Sequence, residues 1–126
     1  MSDIRPNKEQ FLALMNAPDE GPVVMLNLLK FKPRAGASEY NKYGGAVVPM
    51  VEARGGRVLW MGKVDQTLIG DLHADAWDAI ALVEYPSRQA FIEMTTSKEY
   101  DAAHEHRESG LERTVLLACT PRHEAS

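Results

Sequence analysis

The sequence predicts an α+β fold, a four-stranded antiparallel sheet carrying its helices on one face. Two observations predict it. Four apolar runs have strand length and period-two alternation, and between them lie stretches whose apolar residues recur at helical spacing. After a first short helix the order is β-α-β, a polar turn, then β-α-β again. Two such units side by side make one antiparallel sheet. A chain of 126 residues with 44% hydrophobic and 25% charged residues has ordinary values for a globular domain, so one core is expected.

Asn7 caps a short helix over residues 7–16, in which Phe11, Leu12, Leu14 and Met15 supply an apolar side. Two prolines and a glycine in residues 17–22 end it. Residues 23–31 are the strongest strand. Val23, Met25, Asn27, Leu29 and Phe31 point one way, and Val24, Leu26, Leu28 and Lys30 the other. Both faces are largely apolar, which predicts a central strand covered on both sides. A loop over residues 32–37 leads to a helix capped by Ser38 and stopped at Gly55-Gly56. Tyr40, Tyr43, Val47, Met50 and Val51 form its stripe. Pro49, unfavourable by about 3 kcal/mol inside a helix, predicts a kink or break near Val48.

Residues 57–69 read as a long strand bent near Gly62, and residues 70–76 as a polar turn. The third strand is 77–85, with Ala79, Ala81 and Val83 on one side and Ile80 and Leu82 on the other. Ser87 caps a helix over 88–94, Thr95-Thr96 interrupts it, and Ser97 caps a second piece, 98–111. That piece places Tyr100, Ala103, His104, Arg107 and Leu111 on one stripe. The last strand is 114–119. The chain thus divides into a helical extension (1–20), a sheet domain (21–120) and a polar tail (121–126).

The helices cover one face of the sheet. The other face is apolar as well, and a second copy of the chain is its simplest cover, closed twofold dimers being the commonest oligomers. Self-association as a homodimer is therefore expected. Residues 1–10 lack the apolar centre of a secretory signal, and the longest apolar run, 23–29, is far short of the ~20 residues a spanning helix needs. The expected location is the cytoplasm, with no membrane partner. A net charge of −4 and the absence of a Lys/Arg cluster interleaved with aromatics argue against nucleic acid. Cys119, the lone cysteine, reads as a buried, inert thiol.

The succession Tyr40-x-x-Tyr43, Gly55-Gly56-Arg57, Tyr85-Pro86-Ser87 and Ser97-x-Glu99-Tyr100, with Arg107 following, resembles the domain-of-unknown-function 1330 family over about residues 23–119. The resemblance implies a ferredoxin-like protomer of the dimeric α/β-barrel superfamily, in which two protomers pack sheet to sheet. It implies no single reaction, since that superfamily includes cofactor-independent isomerases, monooxygenases, haem-handling enzymes and plain ligand binders. The helix before Gly21 is additional to the family pattern, and His104 stands where a basic residue is often found.

His104 and Arg107 lie one helical turn apart and are the candidate catalytic residues. A histidine near neutral pKa shuttles a proton, and an arginine holds a carboxylate through paired hydrogen bonds. The same pair equally suits backbone carbonyls at the sheet edge, or Glu108 or Asp101. Asn27 interrupts an apolar strand. Its amide, costing ~1–3 kcal/mol if buried alone, needs a ligand or water, a neighbouring backbone group or a dimer mate. Tyr43 and Trp60 are candidate walls of an aromatic pocket, or ordinary core, and complete the candidate ligand-binding set with Asn27. Lys63 and Glu84 suit a salt bridge or solvent.

No metal site is expected. His104 and His106 point about 200° apart on a helix, and His104 with Glu108 gives only two ligands. His73 and His123 sit in polar segments. No phosphate loop or nucleophile motif is present, and no cofactor is expected. Two functions stay open: a cofactor-independent enzyme acting on a small carboxylated or aromatic molecule, or a non-catalytic small-molecule-binding or dimerisation module.

Overall fold

The computed structural model describes residues 4–122. Its elements are α1 (Lys8–Asn16), β1 (Val23–Phe31), α2 (Gly36–Ala53), β2 (Arg57–Lys63), β3 (Ala79–Tyr85), α3 (Arg88–Thr95), α4 (Lys98–Gly110) and β4 (Leu111–Cys119). The strands pair antiparallel in the order β2-β3-β1-β4, which with this succession is the ferredoxin-like arrangement. β1 is central, and its alternation is the one the sequence carries. Val23, Met25, Asn27 and Leu29 are buried, while Val24, Leu26, Leu28 and Lys30 are only half-buried. The core lies between the first set and α2–α4, with Leu29, Met94, Leu111, Val23 and Val51 fully enclosed.

Local capping fixes three helix starts. Asn7 forms a reciprocal cap with Gln10, Ser87 Oγ accepts from Ala90 N at 3.0 Å, and Ser97 Oγ accepts from Tyr100 N at 3.2 Å. The expected break at Thr95-Thr96 divides α3 from α4. The linker after α1 is fastened by Asp19, whose carboxylate accepts from Arg88 N and Gln89 N at the start of α3.

Four boundaries differ from expectation. α2 begins at Gly36, not after a Ser38 cap, because its first turn meets the end of α4 backbone to backbone. A Cβ on Gly36 would stand 2.8 Å from the Gly110 carbonyl oxygen, and one on Gly110 would stand 2.6 Å from the Gly36 oxygen. No side chain fits between them, so glycine at both positions lets the helices close. α2 also runs unbroken through Pro49. The carbonyl that Pro49 cannot bond belongs to Gly45, which has no side chain to crowd the opened turn. β2 ends at Lys63 and not at Ile69, and β3 starts at Ala79 and not at Trp77. Val64 N donates to Asp78 O, and the Asp71 carboxylate accepts from His73 N and Ala74 N, so the intervening residues close on themselves as a loop. β4 is longer than expected, taking over directly from α4 at Leu111.

The second sheet face is open. It carries Leu26, Leu28, Leu82, Leu117 and Trp60, the last 53% exposed. Cys119 is half-buried at the end of edge strand β4, a correction to the buried thiol expected from its apolar neighbours. No helix among the described residues is long and apolar enough to cross a membrane.

Candidate functional site

A cavity of about 350 Å³ lies between the helix-covered sheet face and the helices. β1 supplies Asn27, α2 supplies Tyr40 and Tyr43, and α4 supplies Tyr100, His104 and Arg107. The spacing of the last three, four and then three residues, holds them on one face of α4, and Tyr40 and Tyr43 on α2 share one face for the same reason. Arg107 links the two helices, its guanidinium lying 5.8 Å from the Tyr43 ring centre. The rest of the wall is mostly apolar, as in most small-molecule sites, with Arg5 and Thr95 among its further polar side chains.

Asn27, 8% exposed, is satisfied by its own sheet. Its Nδ2 donates to Met25 O at 3.3 Å and to Ala81 O at 3.2 Å. Both partners are acceptors, so the amide nitrogen must face them and Oδ1 is the atom left for other contacts. The hydroxyls of Tyr43 and Tyr100 meet at 2.8 Å. Burial pushes the Tyr43 phenol well above its ordinary pKa, and Tyr40 shifts the same way, so both stay protonated.

His104 and Arg107 are each 5% exposed. Arg107 Nη1 donates to the backbone carbonyl of Ile4 at 3.0 Å. Neither ring nitrogen of His104 has a hydrogen-bond partner among the described residues. The carboxylate of Glu108 lies 3.7 Å from Nε2. Burial lowers the His104 pKa, and the Arg5 and Arg107 cations lower it further against the opposing pull of Glu108. The imidazole is therefore neutral at neutral pH, with one N–H and one lone pair to offer.

Of the five residues singled out in the sequence, Asn27, Tyr43, His104 and Arg107 line this one cavity. Trp60 does not. The pairing of β2 with β3 shifts between Val58 and Trp60, so Val58 and Met61 turn toward the cavity and Trp60 sits opposite Leu82 on the open face. Without that extra residue it would have paired with Ala81, beside Asn27. His106 points away from the cavity to Glu39, at 3.3 Å. Among the described residues no three His, Cys, Asp or Glu side chains converge, and His123 lies outside them. Sequence reasoning missed Ile4, Arg5 and Pro6, which form part of the wall. A three-residue stretch has no periodicity, and one apolar residue in a polar terminus is a weak signal.

Fold and cavity together define a ferredoxin-like α+β protein with a mostly apolar pocket under its helices. The chain belongs to the family described as a domain of unknown function, DUF1330, whose model matches residues 33–120. It is 37% identical to a protein of unknown function from Rhodopseudomonas palustris, over 98% of this chain and 99% of that one, with a TM-score of 0.88. More distant likenesses show the fold alone. A DABB-family protein with a ferredoxin-like fold from Mesorhizobium loti is 11% identical (82% of this chain, 100% of that one, TM-score 0.55). A dimeric ferredoxin-like protein of unknown function from Thermobifida fusca is also 11% identical (80% and 92%, TM-score 0.58). No curated protein matches the chain.

Proposed function

We propose that the cavity binds a small, largely apolar or aromatic carboxylic acid, and that His104 exchanges a proton with it without a cofactor. The observation that carries this reading is the state of His104: buried at the cavity wall, held neutral, and with neither ring nitrogen hydrogen-bonded to a described residue. A structural histidine at that depth normally has a partner. Arg107 holds the carboxylate, Asn27 Oδ1 accepts from a ligand hydroxyl, and the tyrosines flank the ring. Burial disfavours the imidazolium formed when His104 takes a proton, so the proton is quickly returned. That suits moving a proton within one molecule better than net deprotonation.

A non-catalytic binder is the second reading, and one observation favours it. Asn27, Tyr43 and Arg107 already have partners within the chain. One experiment separates the two. Small aryl 2-oxo acids are incubated in D₂O and deuterium entry beside the carbonyl is followed by NMR. Exchange that disappears in His104→Gln while ligand-induced thermal stabilisation survives supports catalysis. Exchange undiminished in His104→Gln would refute the role given to His104, and binding without any exchange leaves the binder.

In this reading the sheet domain, residues 21–120, carries the cavity, residues 4–6 and Phe11 complete its wall, and the protein works in the cytoplasm as a homodimer closed through its open face. An apolar surface that includes Trp60 and Leu117 is the support for that face. Leu117→Glu places a charge there and should halve the mass seen by light scattering without unfolding the chain. An unchanged mass would place the contact elsewhere.

A further inference from the structure

Residues 4–6 lie along the cavity wall beside His104 and Arg107, and Ile4 is buried there. Two hydrogen bonds between described residues tie them to α4. Arg107 Nη1 donates to the Ile4 carbonyl at 3.0 Å, and Arg5 Nε donates to Glu108 Oε1 at 3.2 Å. Both fall on the face of α4 that carries His104, whose Nε2 is 3.7 Å from the same Glu108 oxygen.

The first contact is chemically lopsided. A guanidinium as buried as Arg107 is best met by a carboxylate in paired hydrogen bonds, because a buried cation needs an opposite charge. Among the described residues no carboxylate forms an ion pair with it. A neutral backbone carbonyl stands in that place, on a segment whose covalent connection to the sheet domain runs through α1 and its linker. The second contact is exposed, with the Arg5 side chain 53% accessible, and pairs of that kind shift an equilibrium by only about two- to fivefold.

We propose that residues 4–6 are an exchangeable strap: a ligand carboxylate takes Arg107 over from the Ile4 carbonyl, and the Arg5–Glu108 pair sets how readily the strap lifts. This rests on the reading of the cavity as a site for a carboxylic acid. Released, the Ile4 carbonyl turns to water, so no buried acceptor is stranded by the exchange. The strap then selects for charge. A neutral molecule of the same shape gains no ion pair with Arg107 and leaves the Ile4 carbonyl in place.

The test uses the full chain with benzoate and its neutral analogue benzamide, by calorimetry, together with amide hydrogen exchange over residues 4–11 by NMR. Benzoate should bind at least tenfold tighter than benzamide and should accelerate exchange in that segment. Arg5→Gln, which removes the pair with Glu108, should accelerate amide exchange of the segment in the ligand-free chain about two- to fivefold. If benzoate binds but segment exchange is unchanged or slowed, or if Arg5→Gln leaves the ligand-free exchange of the segment unaltered, the strap is overturned while the cavity reading stands. If benzoate binds neither wild type nor Arg5→Gln, the cavity reading fails and the strap falls with it.

Discussion

Replacing Asn27 by aspartate keeps the shape of the side chain and changes one donor into an acceptor. The Nδ2 group now serves two backbone carbonyls, Met25 O at 3.3 Å and Ala81 O at 3.2 Å. A carboxylate would set oxygen against oxygen at both. Two neutral hydrogen bonds are worth about 1–3 kcal/mol together, and bonds this long belong near the bottom of that range. Asn27→Leu isolates that part, about 1 kcal/mol. An unpaired charge at a site only 8% exposed adds enough to bring the loss to about 3–5 kcal/mol at pH 7. Protonation relieves it, so the folded-state pKa of the introduced carboxyl lies above the unfolded value of ~3.9. Between the two values the folded chain holds a proton that the unfolded chain has lost. Stability of Asn27→Asp therefore falls as pH rises above about 4, by up to ~1.4 kcal/mol per pH unit. Urea unfolding of the wild type and both variants at pH 4, 5.5 and 7 measures this. An aspartate variant as stable as wild type at pH 7, with no added slope, would refute the reasoning. The carboxylate would then have found a cation or water in the cavity, and Asn27 would not be turned into its own sheet.

Two further outcomes are expected. His104 is held below its unfolded pKa of ~6.5, first by burial and then by Arg5 and Arg107, so from that value down to the folded one the unfolded chain binds the extra proton. Its contribution is complete above about pH 6.5 and declines as pH falls through that window. His104→Gln should flatten this part of the curve of urea midpoint against pH, and an unchanged slope would assign it to another group. Gly110→Ala drives a methyl group to 2.6 Å from Gly36 O and 2.8 Å from Tyr40 N, which must part α2 from α4 at a cost of about 1–3 kcal/mol or more. An unshifted urea midpoint would mean that the helix ends are not in contact.

What the sequence discloses well is local. Asn7, Ser87 and Ser97 start helices because each side-chain oxygen meets an N–H three residues on, and nothing distant has to be known. The two-faced alternation of β1 and the Tyr100–His104–Arg107 stripe are periodic, so position along the chain predicts direction in space. Ser38 failed as a helix start for the opposite reason: the Gly36–Gly110 approach that sets the start joins residues far apart in sequence. Leu68 and Ile69 read as strand by composition, yet a left-handed Gly70 and the Asp71 carboxylate fold that stretch into a loop. The extra residue before Trp60 is neither glycine nor proline, and the bend expected at Gly62 points only to the neighbourhood; one such insertion moves every later side chain to the other face. Four of the five candidate residues share a cavity for periodic reasons, and the fifth left it through that insertion.

The hydroxyl pair of Tyr43 and Tyr100 has a consequence of its own. Either oxygen can be the donor, so turning two O–H bonds swaps the roles while every heavy atom stays still. Whichever phenol accepts from its neighbour keeps a hydrogen to direct elsewhere. The wall can thus reverse its polarity at that point to match a guest, at the speed of a rotating proton and with no repacking of α2 against α4.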